Sequence, residues 1–303
     1  MKKIFLLFTF IPFLSFGQNN TEKGIHFERG TFAELLAAAK KENKMIMVDA
    51  FTTWCGPCKW MAKNIFPNDT VAAVYNKNFI NAEIDMEKGE GLDIAKKYQV
   101  SCYPTYLFID QNGQLLHRQS GSMEAKDFIE LGQSAMNPAK QFTSVKRKYD
   151  SGAATNDEMA DYVLMRGRSC LSVKDEMAKY FSTQPESELT NKRNWNIITE
   201  CRMDITADSR EFRYLVDHKA EYEKLYTADI VNPVIESCYS FALRNLIKDK
   251  NNEGYAKLKE EILKKNFSFS EEMVLSSDMS LYKTNKDWNK YAEATIKDRK
   301  SVV

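Results

Sequence analysis

Two cysteines, Cys55 and Cys58, lie within the stretch FTTWCGPCKWM at residues 51–61. A pair at this spacing supports either thiol–disulfide exchange or half of a metal site. A structural zinc site needs four ligands, usually as two close pairs. The chain has no second CxxC, and His26, His117 and His218 are far apart in sequence and read as strand or helix-surface residues. Redox chemistry is therefore expected, with no metal and no cofactor beyond the Cys55–Cys58 pair itself. Both thiols are needed, one to attack a substrate disulfide and the other to resolve the mixed disulfide that forms.

A strand that ends and a helix that begins must position this pair. KMIMVDAF (44–51) reads as a buried strand, and CKWMAKNIF (58–66) has helical spacing. Gly56-Pro57 then sets Cys55 at a strand-to-helix turn, where unpaired backbone N–H groups and the helix dipole favour a thiolate. Lys59 adds local positive charge. On this reading Cys55 is the exposed nucleophile, and Cys58, shielded in the first turn, is the resolving thiol. A fall in thiol pKa from ~8.5 to ~7 corresponds to roughly 2 kcal/mol of thiolate stabilisation.

The surrounding chain has two patterns. Residues 24–137 alternate strand and helix signals. Thr31 and Glu34 form a capping-box pair that opens a helix through TFAELLAAAKKEN. NDTVAAVYNKNF reads as a helix starting at Asn68 or Asp69, FINAEID (79–85) as a strand, and GLDIAKKYQ (91–99) as a helix. TYLFID (105–110) and QLLHRQSG (114–121) flank Gln111-Asn112-Gly113, a hairpin signal, and MEAKDFIELGQSA (123–135) reads as a closing helix. The expected α/β fold is a mixed central sheet covered by helices on both faces.

After Asn137-Pro138, residues 140–303 lose strand alternation and show amphipathic segments. These are DEMADYVLMR (157–166), a stretch around Trp195, SREFRYLVDHKAEYEKLY (209–226), PVIESCYSFALRNLIK (233–248) and EGYAKLKEEILKKN (253–266). Pro233 suits a first helical turn. An all-α domain of seven or eight helices is expected, and no fixed period marks it as a repeat array.

WCGPCK resembles the active site of the thioredoxin superfamily, and the likeness extends beyond the motif. Asp49, in VDAFTTWC, matches the family's buried acid, which exchanges a proton with the second cysteine. VSCYPT (100–105) looks like the family's cis-proline loop, with Pro104 as the matching proline. The resemblance implies a thioredoxin-like fold for residues 24–137 and catalysis by Cys55, Cys58 and Asp49. It also implies an active-site loop of Gly56, Pro57 and Lys59, with substrate contacts from Trp54, Tyr103 and Pro104. The helix FPNDTVAAVYNKNF and the acidic DMEKGEG loop look more like exported bacterial members than the small cytosolic carrier. Two departures stand out. Asn81 occupies a place where the family commonly has a lysine near the buried acid. Cys102, two residues before Pro104, is an added thiol and reads as a loop cysteine without a redox role, with a resolving or regulatory thiol as the alternative.

Residues 1–17, MKKIFLLFTFIPFLSFG, carry two lysines, an apolar run and small residues at the −3 and −1 places of a cut before Gln18. This reads as a signal peptide, because the apolar run is shorter than the ~20 residues of a spanning helix. Export, most simply to a bacterial periplasm, is the expectation, with no transmembrane segment in the mature form. The chain's 303 residues exceed the usual ~100–150 of one domain, which calls for two cores. With 43 basic and 42 acidic residues and no basic block, nothing points to nucleic acid. The Gly-Pro dipeptide resembles that of reducing thioredoxins, near ~ −270 mV, against ~ −120 mV for a strong periplasmic oxidant. A reducing dithiol in an oxidising compartment must be refilled. The expected partners are therefore disulfide-containing client proteins and a membrane thiol electron donor.

Cys170, Cys201 and Cys238 fall in helical segments and read as buried thiols packing a core, with a Cys170–Cys201 disulfide as the alternative. Trp195 and Trp288 read as core, and no nucleophile–base pair is visible after residue 140. Together these features describe an exported thiol–disulfide oxidoreductase that reduces or isomerises client disulfides, its helical domain shaping client choice or assembly. The competing class is a binding protein whose helical half recognises a partner and whose thioredoxin-like half is a platform.

Overall fold

A computed structural model describes residues 23–301, so the expected signal segment lies outside the described residues. Thr31 opens α1 (Phe32–Glu42) through the expected capping box, its backbone N–H donating to Glu34 at 2.7 Å. Four strands follow in the chain: β1 (Met45–Phe51), β2 (Phe79–Asp85), β3 (Thr105–Ile109) and β4 (Leu115–Ser120). They pair in the order β2-β1-β3-β4, with β1 and β2 parallel and the other two pairings antiparallel. The parallel pair requires a crossover, supplied by α2 (Gly56–Asn64) and α3 (Asp69–Asn78). The β3–β4 hairpin turns on Asp110, whose carboxylate accepts from Asn112 N and Gln114 N, both at 2.8 Å, while Gly113 takes a φ of 77°.

Side-chain alternation along the strands divides the core of this half. Met47, Tyr106 and Phe108 pack with Tyr75 of α3 and with Phe128 of α5 (Ala125–Met136). Ile46, Val48 and Leu107 face the other way, onto Leu35 of α1 and Ile94 of α4 (Gly91–Lys97). Apolar residues on both faces are what a sheet buried between two helical layers requires. Met61 and Ile65, on and just after α2, belong to the first layer, so the helix carrying the cysteine pair is fixed by the core beneath it.

The second half holds ten α-helices among the described residues, more than the seven or eight expected. They are α6 (Phe142–Asp150), α7 (Asn156–Gly167), α8 (Lys174–Ser182), α9 (Lys192–Glu200), α10 (Arg210–Asp217), α11 (Lys219–Tyr226), α12 (Ala228–Lys248), α13 (Asn252–Lys265), α14 (Ser270–Thr284) and α15 (Trp288–Ser301). Part of the difference is His218, whose φ of −110° and ψ of 26° break residues 209–226 into two helices. Pro233 also departs from expectation. It lies inside α12, which starts earlier at Ala228, so the carbonyl one turn before it has no helical donor. Trp195, Cys201 and Cys238 belong to the core as read from sequence, whereas Trp288 is 58% exposed. Among the described residues no helix is long and apolar enough to cross a membrane.

The two halves meet along β4. Phe142 N donates to His117 Nδ1 at 3.0 Å, and the Thr143 hydroxyl donates to Leu116 O at 3.1 Å. His117 is therefore buried, not a surface residue, and burial lowers its pKa to about 4. Because Nδ1 accepts, its ring proton sits on Nε2. Arg118 is buried too, its guanidinium donating to the carbonyls of Tyr98, Gln99 and Ser169.

Candidate active site

β1 ends at Phe51, and Thr52 O accepts from Cys55 N at 3.2 Å to close the turn into α2. Cys55 takes φ −67° and ψ 108°, the extended geometry of an N-cap, and its Sγ accepts from Cys58 N at 3.1 Å. Sulfur thus occupies the place that a serine or aspartate oxygen fills at other helix starts. Pro57 fits the first turn because an N–H there has no helical acceptor. The two cysteines are joined, with an S–S distance of 2.03 Å. On reduction, charge on Cys55 Sγ would be met by the Cys58 N–H and the positive end of α2.

One expectation about this pair is not met. Cys55 is only 2% exposed and Cys58 5%, so exposure does not separate nucleophile from resolving thiol. The bond to Cys58 holds the Cys55 sulfur over the helix start. What separates the two is position, since only Cys55 is the cap. Gly56, Pro57 and Lys59 are exposed around them.

The expected substrate contacts come from two loops. Trp54, 65% exposed, donates from Nε1 to Glu87 Oε2 at 2.9 Å. Its ring meets Tyr103 edge-on, with centroids 6.0 Å apart, which ties the loop before α2 to the loop before β3. The Tyr103–Pro104 peptide bond is cis, as the resemblance implied. Pro104 O accepts from Gly121 N at 2.8 Å, and the Thr105 hydroxyl donates to Cys102 O at 2.7 Å. Partial burial raises the Tyr103 pKa, and Glu87 and Asp85 add to it. On the other side of the pair, a groove of about 570 Å³ runs past Gly56, Pro57, Trp60, Glu124 and Asp127.

Asp49 is 2% exposed on β1, on the same strand face as Met47. Burial pushes its pKa well above the ordinary carboxyl range, and Glu83 pushes it further. Glu83 is Asp49's register partner on β2, while Tyr106 faces it from β3. Asp49 Oδ1, Thr52 Oγ1 and the Tyr106 hydroxyl are buried without hydrogen-bond partners. Asn81, at the family's lysine place, pairs instead with Met47 and donates from its side chain to His26 O and Asn76 Oδ1, each at 3.3 Å. The charged neighbour of the buried acid is therefore a second acid, a feature visible only once the β1–β2 register is known.

This arrangement has a signed consequence for stability. Unfolding releases a proton that folded Asp49 retains, so stability falls as pH rises from the ordinary carboxyl range through the folded pKa. Glu83 keeps an exposed side chain on β2, and its partial desolvation there raises its pKa, which acts in the same direction. Asp49→Asn is expected to flatten this slope and raise the urea midpoint at pH 8 more than at pH 5. It is also expected to slow disulfide exchange about tenfold or more near neutral pH. Parallel pH curves for the two proteins would remove Asp49 as the proton-holding group.

Cys170 departs from both of its sequence readings, and Cys102 is a loop cysteine that is not free. They are bonded to each other, with a Cα–Cα distance of 6.3 Å across a sequence separation of 68 residues. Cys170 is neither a helical core thiol nor the partner of Cys201. It sits just beyond α7 with a φ of 53°. Cys201 and Cys238 are the buried free thiols, and burial raises each to a pKa of about 12. No group of three or more potential metal ligands occurs among the described residues.

A family model for the thioredoxin-like domain matches residues 32–135. The chain is 36% identical to a thioredoxin of Echinococcus granulosus over 92 residues, 30% of this chain and 79% of that one. It is 31% identical to chloroplastic thioredoxin Y of rice over 116 residues, 38% of this chain and 66% of the relative, just under two thirds of its length. A solved chain from Bacteroides thetaiotaomicron, a candidate disulphide-isomerase, is 42% identical over 38% of this chain and 95% of its own, with a TM-score of 0.36.

Proposed function

Because the chain belongs to the thioredoxin superfamily, we propose that it is an exported thiol–disulfide oxidoreductase that reduces or isomerises disulfides in client proteins. The observation that carries this reading is the Cys55–Cys58 disulfide seated on the first turn of α2, with Cys55 Sγ as the helix cap. In the reducing direction, the Cys55 thiolate attacks one sulfur of a client disulfide, forms a mixed disulfide and expels the other client sulfur as a thiolate. Asp49, in its ionised form, takes the Cys58 proton, and the Cys58 thiolate then attacks Cys55 Sγ and breaks the mixed disulfide. The second client thiolate leaves, and the Cys55–Cys58 disulfide is restored. Two electrons have passed to the client, and its two thiolates take up two protons from solvent, matching the one Cys55 gave up on ionising and the one Cys58 gave up through Asp49.

Trp54, Tyr103 and the backbone before Pro104 hold the client chain beside the pair. The groove past Trp60, Glu124 and Asp127 leaves room for a polypeptide on the far side. The reading of residues 1–17 as a signal peptide supports a periplasmic location, where the oxidised pair is refilled by a membrane thiol donor. The helical domain, residues 140–303, adds contact surface for clients or for assembly.

Reduction of insulin by dithiothreitol, followed as precipitation of the freed chains, tests this function. Turnover well above the dithiothreitol background is expected, and it should depend on both active-site cysteines. A rate no faster than that background would favour the platform reading, in which the helical half binds a partner.

A further inference from the structure

The substrate-facing loop before Pro104 is held from outside its own domain. Besides the Cys102–Cys170 bond, the Ser101 hydroxyl donates to Cys170 O at 3.1 Å. One strand away, Ser120 N donates to Arg168 O at 2.7 Å, next to the Gly121–Pro104 hydrogen bond. The Ser169 hydroxyl donates to Arg118 O at 3.3 Å, and the Arg118 guanidinium donates back to Ser169 O. Residues 168–170 therefore grip both the loop and the end of β4.

That turn is itself anchored. Cys170 N bonds Gly167 O, and Leu171 N bonds Arg166 O, closing the C-terminus of α7. Arg168 makes a two-pronged ion pair with Glu200 of α9 at 2.6 and 2.8 Å. Gly167 lies so close to Cys201 that a Cβ there would sit 2.7 Å from its sulfur. The turn is thus pressed onto the helical core on one side and covalently joined to residue 102 on the other.

We propose that the Cys102–Cys170 disulfide is a positioning element that holds the substrate-gripping backbone before Pro104 in its working conformation, using the helical domain as a rigid base. This rests on the reading above that the backbone before Pro104 holds the client. A loop fixed beforehand loses less conformational freedom when a peptide docks, so the linkage acts on affinity more than on the chemical step. Cys102 and Cys170 do not exchange with the client. They set where its chain lies.

The test compares two full-length proteins, both carrying Cys58→Ser: one with the Cys102–Cys170 bond intact, the other with Cys102→Ser and Cys170→Ser. Each reacts with an octapeptide whose single cysteine is activated as a thionitrobenzoate mixed disulfide, or with activated cysteine alone. Cys55 attacks the peptide sulfur and expels the coloured thionitrobenzoate. Loss of the linkage is expected to raise the half-saturating peptide concentration at least fivefold. Most of the effect should fall there and not on the maximal rate, and the preference for peptide over free cysteine should shrink to match. An unchanged half-saturating concentration and preference would overturn the proposal.

Hydrogen exchange on the same two proteins, without reductant, reads the grip independently of any reaction. At least tenfold faster exchange is expected across residues 100–105 and at Ser120 in the variant, and equal protection would overturn the proposal. An inert Cys55 together with faster exchange would reject the proposed function and leave the positioning role standing.

Discussion

Replacing Cys55 with serine is expected to lower insulin reduction by roughly 10³-fold or more, because the thiolate stabilised at the helix start, which makes the first attack, is lost. The same change at Cys58 is expected to leave the first attack intact and stop the second, so mixed disulfides with clients accumulate. The asymmetry follows from the helix start. Cys55 Sγ accepts the Cys58 N–H and lies at the positive end of α2, so its thiolate is the stabilised one. Cys58 lies one turn in, within attacking distance of whatever bond Cys55 has formed. The check is non-reducing electrophoresis of each variant after incubation with disulfide-containing protein, alongside the insulin rate. Bands that form in Cys55→Ser and not in Cys58→Ser would reverse the two roles.

The second large effect is on stability. Removing the Cys102–Cys170 bond by serine substitution at both positions is expected to cost about 4 kcal/mol. That is the loop-closure entropy of an unfolded chain no longer constrained across the 68-residue separation. The bond also joins the thioredoxin-like domain to the helical region that follows it. With it, the two should unfold together; without it, two separate transitions are expected in urea. Fluorescence of Trp54 and Trp60 reports the first half, and that of Trp195 the second. Coincident transitions in the variant, with a midpoint near that of the parent, would mean that the noncovalent contacts along β4 join the halves without help.

The strands, the first five helices and the cysteine pair were legible because each leaves a local signature. Thr31 with Glu34 marks a helix start, the run Met45–Phe51 marks a buried strand, and Gly56-Pro57 marks the turn between strand and helix. Three other features depend on residues far apart in sequence and have no local mark. Glu83 becomes Asp49's neighbour only through the parallel β1–β2 register. His117 is buried because α6 folds back on β4, although its own strand reads as half exposed. Cys102 gave no sign of being paired because its partner lies 68 residues away, beyond α7. The break at His218 and the early start of α12 were missed for a different reason. Tertiary packing there overrides weak local preferences, as it commonly does within helical bundles.

The linkage between residues 102 and 170 also bears on how the chain matures. If the chain is exported as proposed, a polypeptide entering an oxidising space from its N-terminus would present Cys55, Cys58 and Cys102 while Cys170 is still to come. Until α7 has arrived and folded, the lawful partner of Cys102 does not exist, and its nearest competitors are the two thiols of the reaction centre. The order of oxidation therefore matters. Early closure of Cys55 with Cys58, only three residues apart, keeps both out of Cys102's reach. On that order the short active-site ring would double as a protecting group during biogenesis, and the arrival of α7 would set the moment at which the last bond can form.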